Sequence, residues 1–364
     1  MALHDHTYAV IMAGGVGSRF WPMSRSGRPK QFLDILDRGR TLIQMTADRL
    51  EPMLPYDRMY VVTNERYKDE VMAQLPELPE AQILCEPFMR NTAPCLAYAH
   101  HSIARRDPDA TIVVASADHL IEDEEGFRDV LGVAVKQASE TAQLLTIGIT
   151  PTRPDTGYGY IQYEELPGAF DDRLQQVRTF TEKPNRELAE EFIASGDFCW
   201  NSGIFVWSLA TIQDRFEAQL PDLHSLFLER AADLGTEREA EAIRAIFGAA
   251  ENISIDYGIM EGAPNVGVVL GDFGWSDLGT WGSLYDKLDK NEEDNALSGV
   301  QLIGEGATGL MVAGEGNKLV VAKDLKDFII VDTPDALLLC PRDQEQWVKQ
   351  LVSRLKADKG EPLV

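Results

Sequence analysis

Tyr8-Ala9-Val10-Ile11-Met12-Ala13-Gly14-Gly15-Val16-Gly17-Ser18-Arg19 runs from an apolar stretch straight into a glycine-rich turn. Tyr8 to Met12 reads as a buried strand. Glycines placed directly after a strand let backbone N–H groups come close to a phosphate. Arg19, and then Lys30 within Pro29-Lys30-Gln31-Phe32, add fixed positive charge. The stretch therefore predicts a strand, a phosphate loop and an α/β fold. Two better-known glycine loops do not fit. A P-loop needs G-x-x-x-x-G-K-[ST], but the fifth residue after Gly14 is Arg19 and after Gly15 is Phe20. The dinucleotide fingerprint G-x-G-x-x-G accepts Gly15 and Gly17. Phe20 then stands where the third glycine would allow close helix packing.

Working outward, strand-like runs (Ala9–Met12, Met59–Thr63, Gln82–Cys85, Thr111–Ala115, Leu144–Ile149) alternate with helix-like stretches (Thr41–Leu50, Arg66–Gln74, Ala93–Arg105, Phe127–Ala142). That alternation predicts a Rossmann-like, mixed but mostly parallel sheet flanked by helices. Strands at Tyr158–Tyr163, Val177–Thr181, Gly203–Trp207 and Val266–Leu270 continue the pattern, with a helical block over Leu209–Phe247. Past Asn291 the texture changes to short β runs at Gly299–Ile303, Leu310–Val312, Leu319–Val321, Phe328–Val331 and Ala336–Leu339, then an amphipathic helix over Gln344–Leu355. The expected domains are 1–289, α/β, and 290–364, small and β-rich with a terminal helix.

The chain has 364 residues, 44% of them hydrophobic, enough for a sizeable core. No apolar run reaches the ~18–20 residues of a membrane span, and the start Met1-Ala2-Leu3-His4-Asp5-His6 lacks a signal-peptide pattern. Cys85, Cys95, Cys199 and Cys340 form no C-x-x-C pair, so they read as reduced thiols of a cytoplasmic protein. A net charge of -25 disfavours nucleic acid and anionic membranes as partners. Anionic ligands would need a local positive pocket, for which Arg19, Arg25, Arg28, Lys30, Arg90 and Lys183 are the candidates.

Two carboxylates stand out. Asp118, in Ser116-Ala117-Asp118-His119, follows an apolar strand, and Asp277 lies in Trp275-Ser276-Asp277-Leu278-Gly279-Thr280-Trp281. Mg2+ takes hard oxygens from one or two carboxylates plus substrate phosphates. A lone Asp after a strand is more often a turn former. In Phe180-Thr181-Glu182-Lys183-Pro184, Glu182 offers acceptors for sugar hydroxyls and Lys183 a point charge for a phosphate. A surface ion pair before a proline turn is the alternative. Asn201 in Trp200-Asn201-Ser202-Gly203 can donate to and accept from a hydroxyl. Thr92, in Arg90-Asn91-Thr92-Ala93-Pro94, also suits a plain helix N-cap.

Taken together, G-G-x-G-x-R…P-x-S-R…P-K-Q-F resembles the signature of the sugar nucleotidyltransferases, and Gln31-Phe32 looks most like their mannose-1-phosphate guanylyltransferase branch. The later segments R-N-T-A-P, D-H, G-Y-G-Y-I, F-x-E-K-P, W-N-S-G and W-x-D-x-G-T-W occur in family order from about residue 8 to 340. The resemblance implies Mg2+ on Asp118 and Asp277, with Arg19, Lys30 and Lys183 completing the catalytic set. It implies nucleotide contacts at Ala13, Gly14, Gly15, Gly17, Ser18, Asn91, Thr92 and Ser116. Sugar-phosphate contacts fall on Gly157, Tyr158, Glu182, Lys183 and Asn201. The implied substrates are GTP and mannose 1-phosphate. The alternatives are another sugar 1-phosphate, such as a heptose, or a non-catalytic nucleotide-sugar-binding protein. A homodimer contact through the β module and a small, left-handed β-helix-like form for that module are further implications. Long bifunctional relatives carry an isomerase module with metal-binding histidines. No His follows His224, so that module is not expected here.

Overall fold

The computed structural model describes residues 5–359 and residue 363. They divide into two compact units. The first comprises Met1–Gly14, Thr46–Ala117 and Ile121–Trp275; the second comprises Gly15–Met45, Asp118–Leu120 and Ser276–Val364.

In the first unit, β1 (Thr7–Ala13), β2 (Met59–Asn64), β3 (Ile83–Glu86), β4 (Thr111–Ser116), β5 (Leu144–Ile149), β6 (Gly159–Glu165), β7 (Leu174–Glu182), β8 (Phe198–Ser208) and β9 (Val266–Gly271) form one sheet among the described residues, in the order β3-β2-β1-β4-β8-β5-β9-β7-β6. The β3-β2-β1-β4 half is parallel. β8 runs antiparallel between β4 and β5, while β5 and β9 are parallel again. The β1, β2, β4 and β5 strands are mostly apolar and buried almost end to end because both their faces are covered. Tyr8, Val10, Tyr60, Val62, Ile112, Val114, Phe205 and Trp207 share one core with residues of helices Thr92–Ala104, Leu209–Gln219, Pro221–Arg230 and Glu239–Ala249. Burying a side chain of this size contributes about 1.5–3 kcal/mol. The parallel strands β3, β1 and β4 end at Glu86, Ala13 and Ser116, and ligands of such sheets sit outside these carboxyl ends.

The second unit holds a four-stranded sheet, β10 (Ala296–Glu305), β11 (Met311–Lys323), β12 (Phe328–Asp332) and β13 (Leu337–Pro341), in chain order. β10, β11 and β12 pair in parallel, with Ala296 beside Met311 and Met311 beside Ile329. Parallel neighbours joined by such short links make a coil of β-helix type. The separate β runs expected at Leu310–Val312 and Leu319–Val321 are one strand, β11, carried through Gly314 and Gly316. The terminal helix spans Trp347–Lys359, a few residues beyond its expected place. A single core joins Phe20, Trp21, Leu33 and Leu36 to Leu278, Trp281 and Leu284, and both groups to Met311, Ile329, Val331, Leu338 and Val348. The loop after β1 therefore packs against the β module, a contact between residues hundreds of positions apart.

Candidate active site

Within the second unit, Lys30 is the centre of the arrangement. It opens the short turn Lys30–Phe32 and is 3% exposed. Its Nζ lies 2.9 Å from Asp118 Oδ2 and donates to the carbonyls of Asp277 at 2.8 Å and Leu278 at 3.0 Å. An ammonium has three N–H donors, and these partners use all of them. Gly17 makes room for the stem: its φ is +70°, and a Cβ there would lie 2.5 Å from Lys30 Cβ. Burial opposes ionisation of Asp118. The Lys30 ammonium, followed by His119, outweighs it and holds the carboxyl below its ordinary range.

Asp277 is set by its own turn. Its Oδ1 accepts from Gly279 N at 2.9 Å, and Ser276 Oγ accepts from Leu278 N at 3.1 Å. Leu278 sits at φ +44° with its side chain fully buried. A non-glycine residue held there stores strain that the packing must offset, a pattern that clusters at functional sites. Backbone bonds Leu120 N to Ser276 O (2.9 Å) and Ser276 N to Leu120 O (3.0 Å) lace the two aspartate loops together.

The six cations expected to form a positive pocket mostly have internal partners. Arg25 binds Asp335 through two bonds of 2.6 and 2.8 Å, and Arg28 pairs with Glu315 at 3.1 Å. Arg90 Nε donates to Phe247 O at 2.9 Å, and Lys183 pairs with Glu182. Acidic residues outnumber basic ones 59 to 34, so an internal acid is readily found. Arg19 differs: its Nε is buried with no hydrogen-bond partner among the described residues. Gly15 faces open space, with nothing within 4 Å of a Cβ built there, and Ser18 opens the turn that carries Arg19.

In the first unit, Ala13 ends β1 and its carbonyl accepts from Thr63 Oγ1 at 2.8 Å. Ser116 ends β4 opposite Met12. A Cβ on Gly14 would lie 3.3 Å from Glu86 Oε1. Asn91, at φ +67°, caps helix Thr92–Ala104 through Thr92 N, while Thr92 Oγ1 accepts from Ile255 N at 2.8 Å. The Thr92 hydroxyl is thus engaged within the fold, beyond the simple N-cap alternative.

On the opposite half of the sheet, Gly157 N donates to Asp155 at 2.8 Å and the Tyr158 ring meets Trp200 and Trp275 edge-on. Gly159 leaves room for Glu182, since a Cβ there would lie 2.4 Å from Glu182 Oε2 and displace that carboxylate. Lys183 has φ +50° and an exposed side chain. Asn201 differs from its sequence reading. Its Oδ1 accepts from Thr146 Oγ1 (3.0 Å) and Gly203 N (3.2 Å), and its Nδ2 donates to Asp256 at 2.9 Å. Only amide donor capacity is left for a ligand. Burial first, then the charge of Glu182, pushes the Asp256 carboxyl up to about 6.

The chain as a whole resembles known proteins. The profile described as Nucleotidyl transferase matches residues 8–294. The chain belongs to the nucleotidyl transferase family. Residues 306–355 of this nucleotidyl transferase match a second profile, the MannoseP isomerase/GMP-like beta-helix domain. It is 38% identical over 359 residues to the mannose-1-phosphate guanylyltransferase ManC of Salmonella typhimurium, covering 96% of this chain and 73% of that protein. It is 36% identical over 357 residues to a putative mannose-1-phosphate guanylyltransferase of Vibrio cholerae, covering 96% and 74%. A crystal structure named "mannose-1-phosphate geranyltransferase" from Thermus thermophilus superposes with a TM-score of 0.86 at 30% identity, covering 96% of this chain and 99% of that one. Family members generally use a divalent metal. Among the described residues, no helix of this transferase is long and apolar enough to cross a membrane.

Sequence reading missed Glu86, whose only signal was an acid closing the apolar strand β3. It is 5% exposed, its carboxylate takes no hydrogen bond among the described residues, and burial pushes it up to about 7 from 4.5. The folded chain thus keeps this proton to about pH 7, while the unfolded chain releases it near 4.5. The stability contribution is complete below the unfolded value and falls as pH rises toward 7, by about 3 kcal/mol in all. Glu86→Gln is therefore expected to raise the melting temperature by several degrees at pH 8 and hardly at all at pH 4.5. Equal shifts at both pH values in thermal scans refute this account.

Proposed function

We propose that this chain transfers a guanylyl group from GTP to α-D-mannose 1-phosphate, forming GDP-mannose and diphosphate. The observation that carries the reading is the single buried ammonium of Lys30, which gathers the Asp118 carboxylate and the Asp277 turn. Two carboxylate loops held this way suit one small, hard cation, and the described residues contain no group of three or more His, Cys, Asp or Glu that would suit a softer or larger metal site. Asp118 and Asp277 would hold Mg2+, which supplies Lewis-acid charge to phosphate oxygens.

The reaction is in-line displacement at the α-phosphorus. A phosphate oxygen of the sugar phosphate forms the new P–O bond as the bond to the β-phosphate oxygen breaks, and the electron pair leaves with diphosphate. The attacking phosphate is mostly dianionic at neutral pH, its second pKa being about 6, so no protein base has to remove a proton. Positioning and charge neutralisation remain. Arg19, with its unpartnered Nε, would receive the triphosphate, and the loop from Ala13 through Gly14, Gly15 and Gly17 to Ser18 would cradle it. Lys183 would exchange Glu182 for the incoming phosphate, and the freed Glu182 would accept sugar hydroxyls beside Tyr158 and the Asn201 amide. Glu86, next to Gly14, would accept the N1–H and 2-amino donors of guanine, which adenine lacks. Residues 1–289 would be the catalytic domain and 290–364 the β-rich domain, in a cytoplasmic protein.

The test is diphosphate release with Mg2+ across GTP, ITP, ATP, UTP and dTTP against several sugar 1-phosphates. GTP with mannose 1-phosphate is expected to give the highest kcat/KM. Preference for another sugar phosphate replaces the acceptor in this reading. Tight GDP-mannose binding with no diphosphate release replaces the enzyme by a binding protein.

A further inference from the structure

The turn bearing Asp277 is held at two ends. Lys30 fixes the carbonyls of Asp277 and Leu278, as described above. The other end, Thr280–Gly282, opens the helix Trp281–Lys287. Thr280 and Ser283 cap it reciprocally, with Ser283 N donating to Thr280 Oγ1 at 3.1 Å and Thr280 N to Ser283 Oγ at 2.9 Å. Onto this end comes a side chain from far along the chain. Glu345 follows the short turn Arg342–Gln344 after β13, within the residues that match the β-helix profile. Its Oε2 accepts from Gly282 N at 2.6 Å. The fit is close, since a Cβ on Gly282 would stand 2.7 Å from that same oxygen.

Burial raises the Glu345 carboxyl, helped by the charge of Asp286, while Gly282 N–H, the Thr280 side chain and, least, the charge of Arg19 act the other way. Arg19 is tied to the same place by packing: the ring of its neighbour Phe20 lies 4.9 Å from that of Trp281, whose Nε1 donates to Trp21 O at 3.2 Å. One carboxylate from the β module thus stands behind the Asp277 turn.

We propose that Glu345, supplied by the β module, is a positioning residue for nucleotidyl transfer. It fixes the Thr280–Gly282 end of the Asp277 turn. It touches no reacting atom. The β module is on this account part of the catalytic apparatus, beyond any role in assembly. The inference rests on the proposed function, because it acts through Asp277.

The test uses the full-length chain with Glu345→Ala, Glu345→Gln and Gly282→Ala. Partners that orient metal-holding groups typically change metal affinity or activity by about 10–100-fold. Glu345→Ala is expected to lower kcat and raise the Mg2+ concentration for half-maximal rate, each by about that factor. KM for mannose 1-phosphate and the GTP dissociation constant, measured by calorimetry, should stay within about 3-fold of wild type. Glu345→Gln keeps the acceptor for Gly282 N–H and is expected to recover most of the Mg2+ response. Gly282→Ala pushes the carboxylate away from the other side and should reproduce the Glu345→Ala pattern. Wild-type kcat and Mg2+ response in Glu345→Ala, or in Gly282→Ala should Glu345→Ala not fold, overturn the proposal. So does a loss of activity that merely follows a lowered melting temperature. A wild-type chain that releases no diphosphate with any pair of substrates would instead sink the proposed function.

Discussion

Asp277→Asn is expected to cut diphosphate release by at least about 10³-fold while the fold survives. The two halves of that expectation have separate causes. Asn is isosteric with Asp, and its Oδ1 can still accept from Gly279 N, the bond of 2.9 Å that shapes the turn. The Lys30 contact is to the Asp277 carbonyl, which the substitution leaves in place. Leu278 stays buried at its strained φ, and the Leu120–Ser276 backbone pair is untouched. What disappears is one unit of negative charge and one hard oxygen donor. A circular dichroism spectrum and melting temperature like those of wild type, with the rate at background, is the expected outcome. A wild-type rate removes Asp277 from the chemistry and the metal assignment with it.

The parts of this fold that were legible in sequence are those governed by local pattern. The run Leu144–Ile149 is a strand with the expected bounds, because a short, mostly apolar run of six residues with branched side chains suits a buried strand between polar turns. Gly17 was legible as part of a glycine loop after β1; its φ of +70° and its closeness to Lys30 were not. The helix Arg186–Ser195 was not read, although Asn185 caps it through Leu188 N. Its apolar residues are few, and Pro184 before it suggested a turn alone. The hardest features to read depended on distant partners. Nothing local says that the Asn201 acceptor is spent on Thr146 and Gly203, or that Arg25 faces Asp335 across 310 positions of sequence. Lys30 was legible as a cation near phosphate chemistry. That its three donors are turned inward follows only from where Asp118 and Leu278 come to rest.

That inward turn gives Lys30 the second large effect. Lys30→Met is expected to remove turnover and also to destabilise the chain, unlike Asp277→Asn. Removing one partner of a fully buried ion pair costs about 3–5 kcal/mol, because the other charge is left desolvated and unpaired. Asp118 keeps 33% of its side chain exposed, so water screens part of the stranded charge and the cost here is expected to be smaller. Here the abandoned group is Asp118, whose burial already opposes ionisation and is outweighed chiefly by Lys30. In wild type the lowered carboxyl contributes stability above its ordinary pKa, and that part is lost as pH falls through the folded value. In Lys30→Met the sign inverts. Without Lys30, burial is opposed only by His119 and a backbone bond, so the Asp118 carboxyl is expected to move up and its stability contribution to be lost as pH rises. The melting-temperature difference between wild type and Lys30→Met should therefore be larger at pH 8 than at pH 5. Adding Asp118→Asn to Lys30→Met removes the stranded charge and should recover part of the loss, a coupling that a double-mutant cycle reads directly. Lys30→Arg should not rescue activity, since a planar fork cannot reach one carboxylate and two carbonyls from a slot walled by Gly17. A pH-independent difference, with no recovery in the double variant, would mean that Lys30 holds no charge in place and that the two aspartate loops are positioned by backbone alone.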